Sequence, residues 1–269
     1  MTVLSISETD GLYYEYDPSS KDEGKTFVFI NAITGDTSMW QAVVGPALRD
    51  QGHSTLAYNF RGQANSPYTD NLELTEHIIV DDLILLLKTL KPKNIVLVGL
   101  SIGSLYAVKA MARGIEVDAI VMINMLRRIG TRIKWMNDII PQLLAAGGPN
   151  LMRDSFTHLI TGPTFAEKVR AAVFVDKPDY TPMEPNSGPM NLVTHMGATS
   201  WDVAYENINV PALVITGLHD RVFYDAAVFE ELYALIPNAS RVDMDHVGHM
   251  IPVEDPDSLV KAILKFLQG

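Results

Sequence analysis

Short apolar runs alternate with helical spacings through the first 124 residues of the chain. Thr26 to Ile30 (TFVFI) is a strand pattern with an unbroken apolar stretch, and Ser54 to Tyr58 predicts a second strand. Between them, Met39 to Arg49 carries the spacing of a helix. Thr75 stands where it can cap the next helix, in which Ile79, Leu83, Leu86, Leu87 and Leu90 recur at intervals of three and four and form one apolar stripe. Asn94 to Val98 (NIVLV) reads as a central strand of a parallel sheet. A helix over Leu105 to Arg113 is stopped by Gly114, and Val117 to Ile123 is another buried strand.

This alternation predicts an α/β fold, a mostly parallel central sheet flanked by helices. From about Met125 to Asn207 the alternation gives way to helical segments broken by Gly and Pro. Its stretch from Pro178 to Pro189 holds four prolines and a glycine and predicts a loop without regular structure. The sheet rhythm resumes at Ala212 to Thr216, with a helix near Phe223 to Leu235, a strand near Ser240 to Met244 and a last helix opened by Asp255-Pro256. The expected organisation is a core of residues 1–124 and 208–269 with a helical cap inserted over 125–207.

The richest local pattern is Gly99-Leu100-Ser101-Ile102-Gly103, which follows a predicted strand and precedes a predicted helix. A serine hydroxyl is a weak nucleophile and must be lifted to where a base can reach it and backbone N–H groups can receive negative charge. A sharp strand-to-helix turn does this, and its crowded backbone calls for glycine two residues before and two after the serine. Ser101 is therefore the candidate nucleophile; Ser104, next to the turn, could help by hydrogen bonding but is read first as a helix-surface residue. His249, on a late loop after Gly248, is the candidate base; His246 competes from the start of that loop. Asp220 ends the loop Gly217-Leu218-His219-Asp220 after a predicted strand and can orient the imidazole. Asp243 and Asp245 rank below it because they lie on or just after a strand. Asp245, His246 and His249 have a spacing permissive for metal, but no second ligand cluster accompanies them, so no metal is expected.

With these residues the chain resembles the α/β-hydrolases, in particular the capped esterase, lactonase and C–C hydrolase group, whose cap follows the sixth strand. The likeness covers nearly the whole chain. It rests on the Ser101 pentapeptide, on Gly217-Leu218-His219-Asp220-Arg221, on Gly248-His249 with Glu254-Asp255-Pro256, and on Arg61-Gly62 with Ser66-Pro67. Two positions depart from the family pattern: Asn31-Ala32 stands where His-Gly is usual, and Asn59 where an aspartate is common. The resemblance implies backbone oxyanion donors at Ile33 and Ile102 and carboxylic-ester hydrolysis through an acyl-enzyme. Trp135, Met136, Phe156 and Met196 are candidate substrate contacts, alongside Met152, Phe165 and Met190. The alternatives are a lactonase or a C–C bond hydrolase with the same triad, or a ligand-sensing protein with little turnover, which Asn31-Ala32 motivates. No cofactor is implied.

Composition narrows the partners. A formal charge of −11 disfavours nucleic acid and anionic membrane surfaces, leaving a small-molecule ester as the expected partner; a homodimer is compatible with the sequence. Arg127, Arg128, Arg132 and Lys134, interleaved with Ile129, Ile133 and Trp135, read as the solvated side of an amphipathic helix. The chain has no cysteine, which excludes disulfides and thiolate chemistry. No apolar run approaches the roughly 18 residues of a membrane span, and Met1 to Glu8 lacks a signal-peptide pattern, so a cytoplasmic location is expected.

Overall fold

The unbroken apolar runs form the inner strands of one sheet. The computed structural model describes residues 2–19, 24–69, 72–173 and 178–268. Its strands are β1 (Thr2–Ser5), β2 (Gly11–Asp17), β3 (Thr26–Ile30), β4 (Ser54–Tyr58), β5 (Ile95–Leu100), β6 (Ala119–Ile123), β7 (Ala212–Gly217) and β8 (Ala239–Met244). The helices are α1 (Ser38–Gln41), α2 (Val44–Asp50), α3 (Glu76–Leu90), α4 (Ile102–Ala112), α5 (Thr131–Ile160), α6 (Pro163–Val173), α7 (Gly188–Met196), α8 (Ala226–Tyr233), α9 (Ile251–Glu254) and α10 (Pro256–Gln268). The strands lie in the order β1-β2-β4-β3-β5-β6-β7-β8. β1 and β2 pair antiparallel, as do β2 and β4, and from β4 to β8 every neighbour is parallel.

Successive side chains of a strand point to opposite faces, so each inner strand feeds two cores. Val28 and Ile30 pack with Leu83 of α3, Leu105 of α4 and Phe229 of α8, whereas Phe27 and Phe29 pack with Trp40 of α1, Leu48 of α2 and Ile263 of α10. A sheet covered on both faces requires apolar residues at every position, which explains the runs TFVFI and AIVMI. The edge hairpin β1–β2 was not foreseen, because its partly exposed residues (TVLS, GLYYEYD) carry no such run.

The expected single helix over 39–49 is instead α1 and α2, separated at Ala42 and Val43. Pro46 accounts for the break: it lacks an N–H to donate to Ala42, and its ring would meet that carbonyl, but it is tolerated in the first turn of a new helix. Thr75 occupies the N-cap of α3 without making a side-chain capping bond. The 125–207 segment follows the sixth strand and, among the described residues, contains helices and no strand; its residues 174–177 lie outside that description. Within α5 the backbone leaves helical geometry at Gly147 and Gly148, and a side chain at Gly148 (φ +66°) would collide with the Thr181 carbonyl. Residues 178–187 run without helix or strand, as the prolines predict, but the expected loop ends two residues early, because Gly188 and Pro189 open α7, where proline is tolerated in the first turn. No helix among the described residues is long and apolar enough to cross a membrane.

Arg61 fixes the loop after β4 to helix α3. Its Nε donates to Asp82 Oδ2 at 3.1 Å, Nη2 donates to Asp82 Oδ1, and Asp10 lies 3.7 Å from Nη1. Burial pushes the Asp82 carboxyl up and Arg61 pulls it back, leaving it above the ordinary value. Desolvation therefore outweighs the attraction, and the pair matters chiefly because Asp82 without Arg61 would be a stranded charge, whereas Arg61 without Asp82 still has Asp10. Arg61→Ala is expected to lower unfolding stability by about 3–5 kcal/mol. In urea titrations, joint replacement of Arg61 and Asp82 by Met and Leu should recover much of that loss; a double variant as unstable as the single one contradicts this account.

Candidate active site

Strand β5 enters α4 through Ser101, whose backbone is strained for an L-residue at φ 57° and ψ −120°. The two glycines are sterically required. A Cβ at Gly99 would lie 2.3 Å from Ser104 N, and one at Gly103 2.3 Å from Ile30 O. Ser101 N donates to Ile123 O at 2.8 Å and locks the turn to the end of β6. Ser104 is buried and not on the helix surface, and it takes the hydrogen-bonding role that was the alternative: its hydroxyl donates to Gly99 O and accepts from Ile123 N, bracing the turn.

At the same edge of the sheet, His249 Nδ1 lies 2.6 Å from Asp220 Oδ2, with both side chains buried. The other Asp220 oxygen accepts from Val222 N (3.2 Å) and Phe223 N (2.9 Å), so the carboxylate cannot turn away. Asn124, at the end of β6, joins the two loops: Oδ1 accepts from Gly217 N, and Nδ2 donates to the carbonyls of Gly248 and His249. Nothing in the sequence marks this asparagine, because the role depends on a position at the strand end with φ 50°. His246 turns to Asp255, 2.7 Å away, and not into the cavity.

Ser101, His249, Ile33 and Ile102 all border one cavity of about 590 Å³, otherwise lined mainly by apolar side chains of the 125–207 segment. Among the described residues the N–H groups of Ile33 and Ile102 donate to no protein acceptor, and Ile102 is the first residue of α4, where helix geometry leaves N–H groups free. The two departures from the family pattern are built into an amide network. Asn31 Nδ2 lies within 3.0 Å of Tyr58 O, Asn59 Oδ1 and Gln63 Oε1, and its Oδ1 accepts from Trp40 Nε1 at 2.8 Å. Gln63 Nε2 donates to the carbonyls of Ala32 and Ile33, and Asn59 Oδ1 accepts from Thr37 N. The loop bearing Ile33 is thus held at both ends by uncharged groups.

Comparison with known proteins fits this arrangement. A model described as the alpha/beta hydrolase family matches residues 27–262. The chain belongs to that family. A Bacillus subtilis (strain 168) protein provisionally named a 2-succinyl-6-hydroxy-2,4-cyclohexadiene-1-carboxylate synthase is 24% identical over 277 residues, 99% of each chain. Among solved structures, MGS-M2, an alpha/beta hydrolase from a Medee basin deep-sea metagenome library, is 22% identical with a TM-score of 0.84, covering 100% of this chain and 98% of that one. The enol-lactonase of Burkholderia xenovorans LB400 is 24% identical with a TM-score of 0.79 over 100% of both.

Two side chains of this hydrolase sit where the sequence did not indicate. Trp135 is 72% exposed and does not border the cavity. The next residue, Met136, does, because one step along a helix turns the side chain by about 100°. Phe156 and Met196 also line the cavity. Arg127, grouped with a solvated basic cluster, is buried beside the nucleophile: Nη2 donates to Ser101 Oγ at 2.9 Å, and the guanidinium lies between the rings of Trp201 (4.5 Å) and Phe223 (4.6 Å). Arg128 is exposed as expected and paired with Glu231, but both arginines precede α5 (Thr131–Ile160), so neither lies on the expected amphipathic helix. The structure shows no Ser101–His249 hydrogen bond; the Arg127 contact occupies a lone pair of Oγ and leaves the hydroxyl proton free.

Burial pushes the Asp220 carboxyl up, but the His249 charge and hydrogen bond, the Phe223 N–H and Arg127 together bring it below the ordinary 3.8. A carboxyl with a lower pKa folded than unfolded stabilises the fold fully above its unfolded pKa, and that contribution is lost as pH falls through the folded value. Asp220→Asn is expected to reduce stability near neutrality and to flatten the decline below about pH 4. Urea midpoints measured across that range would contradict this if variant and parent ran parallel.

Proposed function

We propose that the protein is a serine hydrolase that cleaves carboxylic esters of small or medium, largely apolar substrates through an acyl-enzyme on Ser101. The observation that carries this reading is the strained Ser101 turn and the buried His249–Asp220 pair opening on one apolar cavity. Ser101 Oγ attacks the ester carbonyl as His249 Nε2 takes its proton. The carbonyl oxygen becomes an oxyanion facing the free N–H groups of Ile33 and Ile102. His249 then returns the proton to the leaving alkoxide, and a water activated by the same imidazole releases the acid. Asp220 fixes the tautomer with the proton on Nδ1 and stabilises the imidazolium. Met136, Phe156 and Met196 would line the site of the acyl or alcohol portion.

Lactone opening is the second reading, supported by the end-to-end likeness to a solved enol-lactonase. A lactone is a cyclic ester, so the same groups serve and only the tethered leaving group differs. A ligand-sensing protein with little turnover remains the third reading; against it stands the hydrogen bonding of Asn31 and Asn59, which brace the loop that carries Ile33.

Against a panel of p-nitrophenyl esters, turnover should disappear in Ser101→Ala with the melting temperature kept, and Asp220→Asn should lose about 10³- to 10⁴-fold in kcat. A fluorophosphonate probe should label Ser101. Equal rates for parent and Ser101→Ala, or a label on another serine, would refute the assignment.

A further inference from the structure

Arg127 is an unusual wall for an apolar cavity. It is only 4% exposed, yet among the described residues no carboxylate lies within ion-pairing distance of it, and none lines the cavity. Buried charges are normally paired, because removal from water without a counter-charge is costly. Asp220 acts on it at longer range, but that carboxylate already serves His249 and two backbone N–H groups. Burial lowers the Arg127 pKa to about 10, so the group is still a cation at neutral pH.

Its donors can be counted. A guanidinium has five N–H bonds. Nε reaches Met125 O at 3.3 Å, and Nη2 donates to Ser101 Oγ and to Asn124 O. Nη1 makes no hydrogen bond to any described residue, and Trp201 and Phe223, whose rings lie against the guanidinium, also line the cavity. What remains is a fixed cation beside the nucleophile with both N–H bonds of Nη1 unused, able to donate to a carboxylate oxygen through that one nitrogen.

We propose that Arg127 docks a carboxylate carried by the substrate itself, so that the preferred substrates are esters or lactones with an ionised carboxyl group close to the carbonyl that is attacked. The inference rests on Ser101 being the nucleophile. Because Nη2 is 2.9 Å from Oγ, a carboxylate on Nη1 would lie roughly 4–6 Å from the attacked carbon, which corresponds to two to four intervening bonds. Half-esters of short dicarboxylic acids fit that span. The chain's overall charge of −11 repels such molecules at long range, so recognition depends on this local cation.

The test pairs monoethyl succinate with ethyl butyrate, which differ mainly in the carboxylate, in a pH-stat, and adds calorimetric titration of succinate into Ser101→Ala. The parent should favour the half-ester by roughly 10- to 100-fold in kcat/KM. Arg127→Gln should bring the ratio to one or below, and Arg127→Lys should keep part of it. Succinate should bind Ser101→Ala and not the Ser101→Ala, Arg127→Gln double variant. A parent that hydrolyses both esters equally overturns the carboxylate site and leaves the esterase reading standing. Binding of succinate that depends on Arg127, with neither ester turned over, supports the site and refutes the esterase reading. Neither turnover nor binding overturns both, and because the parent's own ratio decides, a poorly folding Arg127→Gln does not remove the test.

Discussion

Everything at the candidate site depends on how closely three backbones approach at the end of β5. Ser101 holds a backbone conformation that costs an L-residue about 1–3 kcal/mol, and it persists because the surroundings leave no alternative. The missing side chain at Gly103 lets the first turn of α4 lie against the carbonyls of Ile30 and Asn31. That contact sets the distance between the Ile102 N–H and the loop that carries Ile33. One steric condition thus determines both the exposure of the hydroxyl and the spacing of the two free amides.

The same use of close backbone contact ties the 125–207 segment to the loop of His249. A Cβ at Gly162 would strike His246 O, one at Gly248 would strike Ile160 O, and His249 N donates to Ile160 O. At the opposite side, Gly188 and Gly62 touch in the same way, joining α7 to the loop anchored by Arg61. The segment that lines the cavity is therefore in close backbone contact with both the loop of His249 and the loop anchored by Arg61.

Residues whose position follows from local constraints were legible in the sequence. The runs TFVFI and AIVMI announce strands because both faces are covered, and the Ser101 turn announces itself because its glycines are sterically required. Asp220 and His249 could be placed on loops at the same sheet edge because parallel strands bring their carboxyl ends together. What stayed hidden depends on distant partners. β1 and β2 form a partly exposed hairpin at one side of the sheet with no apolar run; Asn124 works through loops about 90 and 125 residues away. Arg127 was grouped with Arg128 because adjacent charges look alike in a sequence, although one points to solvent and the other into the cavity. The side a residue faces at the mouth of an irregular segment is set by what packs over it, here Trp201 and Phe223.

The charges around Ser101 act on one another. A guanidinium 2.9 Å from the hydroxyl oxygen favours negative charge developing there, which helps the attack. Asp220 acts on the same guanidinium at longer range while it holds His249, so the cation beside the attacking oxygen and the base share one carboxylate. A ligand carboxylate on Nη1 would offset the charge of Arg127 while leaving the hydrogen bond to Oγ in place. Substrate binding and attack would then be coupled through one side chain.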